Sequence, residues 1–163
     1  MLTVPMYATR HDLPVQSRER MIALLNQQLA DTSDLYSQTK QAHWNEKGHD
    51  FFQLHELFDK LADAVQEYVD ELAERATALG GEALGTVRMA SGASRLPDYP
   101  TGIADGLTHV QALSERYARY AATTRVAIHA AAEAGDADTA DLFTEISRGV
   151  DKHLWFLEAH LQA

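Results

Sequence analysis

Five side chains in this sequence, His43, His55, Asp59, Asp70 and Glu74, offer imidazole nitrogen and carboxylate oxygen without sulfur. Donors of that kind suit iron or manganese, and zinc fits them too. His55 and Asp59 are four residues apart, as are Asp70 and Glu74, so on a helix each pair projects from one face about a turn apart. Asp59 and Asp70 are 11 residues apart, close to three whole turns. Both pairs therefore share a face but lie roughly 16 Å apart along the axis. One metal ion cannot use both pairs of the same helix. Two antiparallel copies of the helix, related by a twofold axis near Ala64 and Val65, bring Asp70 and Glu74 of one chain opposite His55 and Asp59 of the other. His43 lies five residues before Gly48 and His55 seven after it, so a hairpin of helices sets the two rings side by side. The spacing predicts a site shared between subunits, two copies per dimer.

The elements that must hold these residues are helical almost throughout. After an irregular tail over residues 1–16, with Pro5 and Pro14, apolar positions recur at Ile22, Leu25, Leu29, Thr32 and Tyr36 in a first helix expected from about Ser17 to Gly48. Asp50 is expected to cap a second helix, with Gln53 as its capping-box partner. That helix carries Leu54, Leu57, Leu61, Val65, Tyr68, Leu72 and Leu79 on one stripe and Phe51, Phe58, Ala62, Val69 and Ala76 on a second, so it is covered from two sides, and Gly80-Gly81 ends it. Residues 82–100 read as a long connection. A third helix runs from Ile103 towards Gly135, and a fourth carries Leu142, Ile146, Val150, His153, Leu157 and Leu161. Two short connections and one long crossover between helices 2 and 3 describe an all-α, ferritin-like four-helix bundle over residues 17–163.

The usual site inside such a bundle takes two Glu-x-x-His motifs from different helices. This chain offers one, Glu46 to His49, and Gly48 interrupts it. The intersubunit arrangement is the better reading. Signatures for a nucleophile elbow, a zinc protease, a P-loop or a dinucleotide fold do not occur. The absence of cysteine excludes disulfide scaffolds, thiolate metal sites and cysteine nucleophiles. No membrane span or secretory signal is read, and a soluble, cytoplasmic protein is expected.

The run His43-Trp44-Asn45, the pairs His55-x-x-x-Asp59 and Asp70-x-x-x-Glu74-Arg75, Leu79-Gly80-Gly81 and the late segment Asp151-Lys152-His153-Leu154-Trp155-Phe156 resemble the Dps family, the mini-ferritins named as DNA-binding proteins from starved cells. The resemblance covers about Ser17 to Leu161. It implies a hollow homododecamer whose twofold interfaces form ferroxidase centres, mono-iron or di-iron. There ferrous iron is oxidised, preferably by hydrogen peroxide, and ferric mineral is stored inside. On that reading His43, His55 and Asp59 come from one subunit, and Asp70 and Glu74 from its twofold mate. Trp44 resembles the family's tryptophan near the iron, a quencher of stray oxidising equivalents; the plainer reading is a packing aromatic.

An acidic group, Asp136, Asp138, Asp141 and Glu145, opens the fourth helix. Acids there suit the helix dipole and the free amides. The resemblance adds a second role, a threefold pore that draws in ferrous ions, with Asp141 and Glu145 the better candidates and Asp136 a third. His153 is read as a core or interface histidine and His49 as a capping or surface residue; His11, His109, His129 and His160 have no assigned role. The chain holds 14 basic and 24 acidic residues, a formal charge of −10. Residues 1–20 carry Arg10, Arg18 and Arg20 against Asp12 and Glu19, without lysine. A dodecamer of such chains has a formal charge of roughly −120, which repels phosphate. DNA binding is therefore expected to be weak or absent. The rival reading is a nucleoid-associated, DNA-compacting shell in which metal binding is secondary.

Overall fold

A computed structural model describes residues 5–162. The part of the expected tail formed by residues 1–4 lies outside the described residues. Five helices follow one another: α1 (Val15–Asn45), α2 (Phe51–Ala78), α3 (Val87–Ala93), α4 (Gly106–Glu133) and α5 (Ala137–Glu158). The described residues contain no β-strand, only an isolated parallel bridge between Lys47 and Asp105. No helix is long and apolar enough to cross a membrane among the described residues.

Two antiparallel hairpins, α1–α2 and α4–α5, face each other around one core, and α1 also meets α3 and α4. The apolar stripes account for the burial. Leu25, Leu35, Phe58, Val65, Leu72, Val110, Phe143, Ile146 and Val150 are fully buried. Each large side chain so buried contributes about 1.5–3 kcal/mol relative to leaving it in water. Between α1 and α4 the core is polar but satisfied: Thr32 Oγ1 lies 2.6 Å from Tyr120 Oη, Thr39 Oγ1 3.1 Å from Tyr117 Oη, and Gln28 Nε2 donates to Thr124 Oγ1 at 3.1 Å. These paired core positions carry hydroxyl and amide groups rather than carboxylates.

Several boundaries differ from expectation. Helix α1 starts at Val15, directly after Pro14, and ends at Asn45, because Glu46 turns extended (φ −68°, ψ 146°). Asp50 makes no side-chain cap; the turn closes instead through the backbone, Phe51 N–H to Gly48 O at 3.3 Å and Leu54 N–H to Asp50 O at 3.0 Å. The expected long connection contains α3, whose first turn is capped by Thr86 Oγ1 accepting from Met89 N–H. Two turns are too short to display helical periodicity against Gly92 and the flanking prolines. Arg95 then straps this crossover to α1, donating to Asp31 Oδ2 at 2.6 Å, where Asp31 is buried. Phe51, expected on the second buried edge of α2, is exposed.

Residues 5–14 lie against the end of α2. Tyr7 N–H donates to Gly80 O at 2.7 Å, and Arg18 Nη1 to Leu79 O at 2.9 Å. Gly80 adopts φ +90°, and a Cβ there would stand 2.8 Å from Tyr7 O. Only glycine both ends the helix and admits the passing strand of backbone.

Candidate metal centre at the α1–α2 corner

The two imidazoles meet where α1 ends and α2 begins. The rings of His43 and His55 stack with centroids 3.8 Å apart. His43 Nδ1–H donates to the carbonyl of His55 at 2.8 Å, and His55 Nδ1–H donates to the carbonyl of His43 at 2.9 Å. A ring nitrogen facing a carbonyl must carry the proton, so each neutral ring keeps its lone pair on Nε2. Carbonyl partners of this kind fix the tautomer and orientation of a metal-binding imidazole. His43 is buried and His55 half-buried.

Asp59, one turn beyond His55, brings its carboxylate to the same corner, with Oδ1 3.7 Å from His43 Nε2. The same oxygen accepts a hydrogen bond from Lys40 Nζ at 2.6 Å. That bond, more than any other contact, holds the Asp59 carboxyl below its ordinary range; burial opposes it, and the Lys40 charge and the neighbouring His43 and His55 rings assist. Lys40 escaped the sequence reading, although its place three residues before His43 on the same helix face was a usable signal. Around the trio, Trp44, Phe51 and Phe52 are exposed, and Phe51 stacks on His55 with centroids 5.0 Å apart. Lys40 Nζ stands 5.8 Å from the centre of the Trp44 ring.

Asp70 and Glu74 are exposed on α2, about three and four turns beyond Asp59. Among the described residues no group of three histidine or acidic side chains of one chain is disposed to enclose a metal ion. Val65 is fully buried and Ala64 half-buried, so of the two only Ala64 reaches the open side at the level of the expected axis. Beside Asp70 runs a shallow acidic depression lined by Asp63, Glu67 and Glu71. Burial raises the Glu71 carboxyl, and Glu145, Glu67 and Asp70 raise it further.

The acidic opening of α5 divides in the structure. Asp136 is 2 % exposed and caps the helix, accepting from Thr139 N–H at 3.0 Å and from Arg75 Nη2 at 2.8 Å. Burial pushes its carboxyl up, but the Thr139 hydroxyl and amide and the Arg75 guanidinium outweigh that and hold it below the usual range. Its carboxylate is engaged by the cap and by Arg75. Asp141 and Glu145 are exposed. Asp141 borders a depression with Gly135 and Thr144, while Glu145 faces Glu71 and Tyr68 of α2. His153 is half-buried with its ring edge-on to Tyr117, and His49 is exposed.

The ferritin-like domain family matches residues 22–163. A DNA protection during starvation protein of Agrobacterium fabrum is 46% identical over 156 residues, 96% of each chain. The chain belongs to the Dps family. Among solved structures, DpsC from Streptomyces coelicolor superposes with a TM-score of 0.91 at 32% identity, covering 99% of this chain and 93% of that one. The Dps protein of Vibrio cholerae O1, described as a member of a broad superfamily of ferritin-like diiron-carboxylate proteins, superposes at 0.89 with 28% identity, covering 98% of this Dps chain and all of its own. The fold is accordingly the all-α ferritin-like fold of Dps, with α3 inserted in the crossover.

Proposed function

We propose that this Dps chain is a ferroxidase and iron store, with each centre completed across a twofold interface of a hollow dodecamer. His43, His55 and Asp59 bind ferrous iron from one subunit, and Asp70 and Glu74 from its mate. The observation that carries the reading is the reciprocal bonding of the two imidazoles, which leaves both Nε2 lone pairs free, that of His43 3.7 Å from the Asp59 carboxylate. Family membership supports iron as the substrate, and the axial separation of the His55–Asp59 and Asp70–Glu74 pairs supports the shared site.

The ligands divide the work. Neutral imidazoles accept ferrous iron, and carboxylates stabilise the higher charge of the ferric product. Two ferrous ions each give one electron to one hydrogen peroxide, whose O–O bond breaks to leave two hydroxides and no free radical. Trp44, exposed beside the trio, quenches equivalents that escape pairing. The store protects the cell by removing both reactants together. Peroxide added anaerobically to the iron-loaded protein should oxidise two ferrous ions per molecule, faster than oxygen does. A ratio of one iron per peroxide, with hydroxyl radical trapped in proportion, contradicts the paired mechanism.

Asp141 and Glu145 guide iron toward the interior. The acidic balance of the chain makes the shell a poor partner for DNA, so no mobility shift is expected at physiological ionic strength; a shift there favours the DNA-compacting alternative.

A further inference from the structure

We infer that Glu46 is a positioning residue for the imidazole pair: its uncharged carboxyl latches the α1–α2 turn beneath the first turn of α4, and its ionisation releases that turn. The inference rests on the shared-site reading for its consequence, but its first readout needs no metal.

Glu46 is 1 % exposed, and neither carboxyl oxygen has a hydrogen-bond partner. A Cβ on Gly106 would stand 3.3 Å from Glu46 Oε2 and 2.5 Å from Leu54 Cδ1, so the bare glycine lets α4 close over the carboxyl. Next in sequence, Lys47 N–H donates to Ala104 O at 2.7 Å, fastening the turn to the approach of α4. Glu46 therefore lies inside the one connection between the two imidazoles, three residues after His43 and nine before His55.

A carboxylate without donors in such a place is costly, whereas the neutral acid costs far less. Burial raises the Glu46 carboxyl; His55 lowers it, Asp50 raises it and Lys47 lowers it again, with burial prevailing. The titratable groups around it are Lys47 and Asp50 of the turn, His55 of α2, and Asp105 and His109 of the first turn of α4. For an acid whose folded value is raised, the stabilisation is complete below the unfolded value and is lost as pH rises through the folded one. The latch thus holds in acid and loosens towards alkaline pH, taking the spacing of His43 and His55 with it.

The test is amide hydrogen exchange at Lys47 in the assembled, metal-free protein, expressed as protection over the intrinsic rate, from about pH 5 to about pH 9. Wild type should lose protection by up to about tenfold per pH unit between the carboxyl's ordinary value and its raised value in the closed turn, levelling off above that, while Glu46→Gln, uncharged throughout, should show no such slope. Equal slopes in both overturn the latch. An infrared band of a protonated buried carboxylic acid, persisting in wild type above the ordinary glutamate range and lost on deprotonation, checks the same claim without a variant; its absence above that range also overturns it. Initial rates of peroxide-driven iron oxidation should flatten with pH in Glu46→Gln, and an unchanged rate profile overturns the positioning role. A separate His55→Leu variant tests the metal site: full activity there contradicts the shared site and leaves the exchange result standing by itself.

Discussion

If each centre is built from two chains, two different inactive subunits should repair one another. One variant, His55→Leu/Asp59→Asn, lacks the near half of the site. The other, Asp70→Asn/Glu74→Gln, lacks the far half. Along α2 these halves are separated by roughly 16 Å, far beyond metal–ligand bonds of about 2 Å, so neither assembly alone retains an intact centre. In a mixed twofold pair one of the two sites draws its near half and its far half from undamaged faces, while the other site is damaged on both. Equal mixing with random pairing makes half of the pairs mixed, and the shell should recover about a quarter of the wild-type rate. Asp70 and Glu74 are exposed, so their replacement should leave subunit stability within about 0.5 kcal/mol. The assay is the initial rise of ferric absorbance after peroxide addition, on co-expressed shells selected for two tags. Mixed shells no faster than either parent would refute the sharing of ligands.

Three other perturbations follow from the geometry. Lys40→Met removes the ammonium from Asp59 and should tighten ferrous binding by about fivefold, the upper end for an ion pair whose carboxylate is this exposed; unchanged binding by anaerobic titration would show that Lys40 does not compete with iron. Asp136→Ala removes the α5 cap and leaves the Arg75 guanidinium unpaired, for a loss of about 3 kcal/mol in chemical denaturation. Because the Asp136 carboxyl is held low, its stabilisation is present above the unfolded value and lost as pH falls through the folded one, so wild type and variant should converge in strong acid. Asp141→Asn/Glu145→Gln should slow iron uptake without disturbing the assembly, and an unchanged uptake rate contradicts a guiding role.

The helices were legible because their buried faces are long and periodic: Leu54 to Leu72 on α2, continued by Leu79 at its end, gives a stripe that no strand could carry. The place of His43 against His55 followed from counting across Gly48, and their stacked rings agree with that count. Short-range chemistry was harder to read. Helix α3 is too brief for a period, and the cap expected of Asp50 was replaced by backbone bonds of the turn. Asp136 looked like one acid among four, since its difference lies in Arg75, 61 residues away in sequence. Lys40 carries no motif, and Glu46 stands only in the interrupted Glu-x-x-His match; the first is known by what it touches and the second by what it does not.

A shared centre stands or falls on where the iron sits. Diffraction at the iron absorption edge from crystals soaked anaerobically with ferrous salt would answer that directly. The predicted result is an anomalous peak beside Nε2 of His43 and of His55 and the carboxylate of Asp59, with Asp70 and Glu74 of the partner subunit closing the opposite side. Iron held by the side chains of one chain alone, or found only away from the α1–α2 corner, would contradict the account.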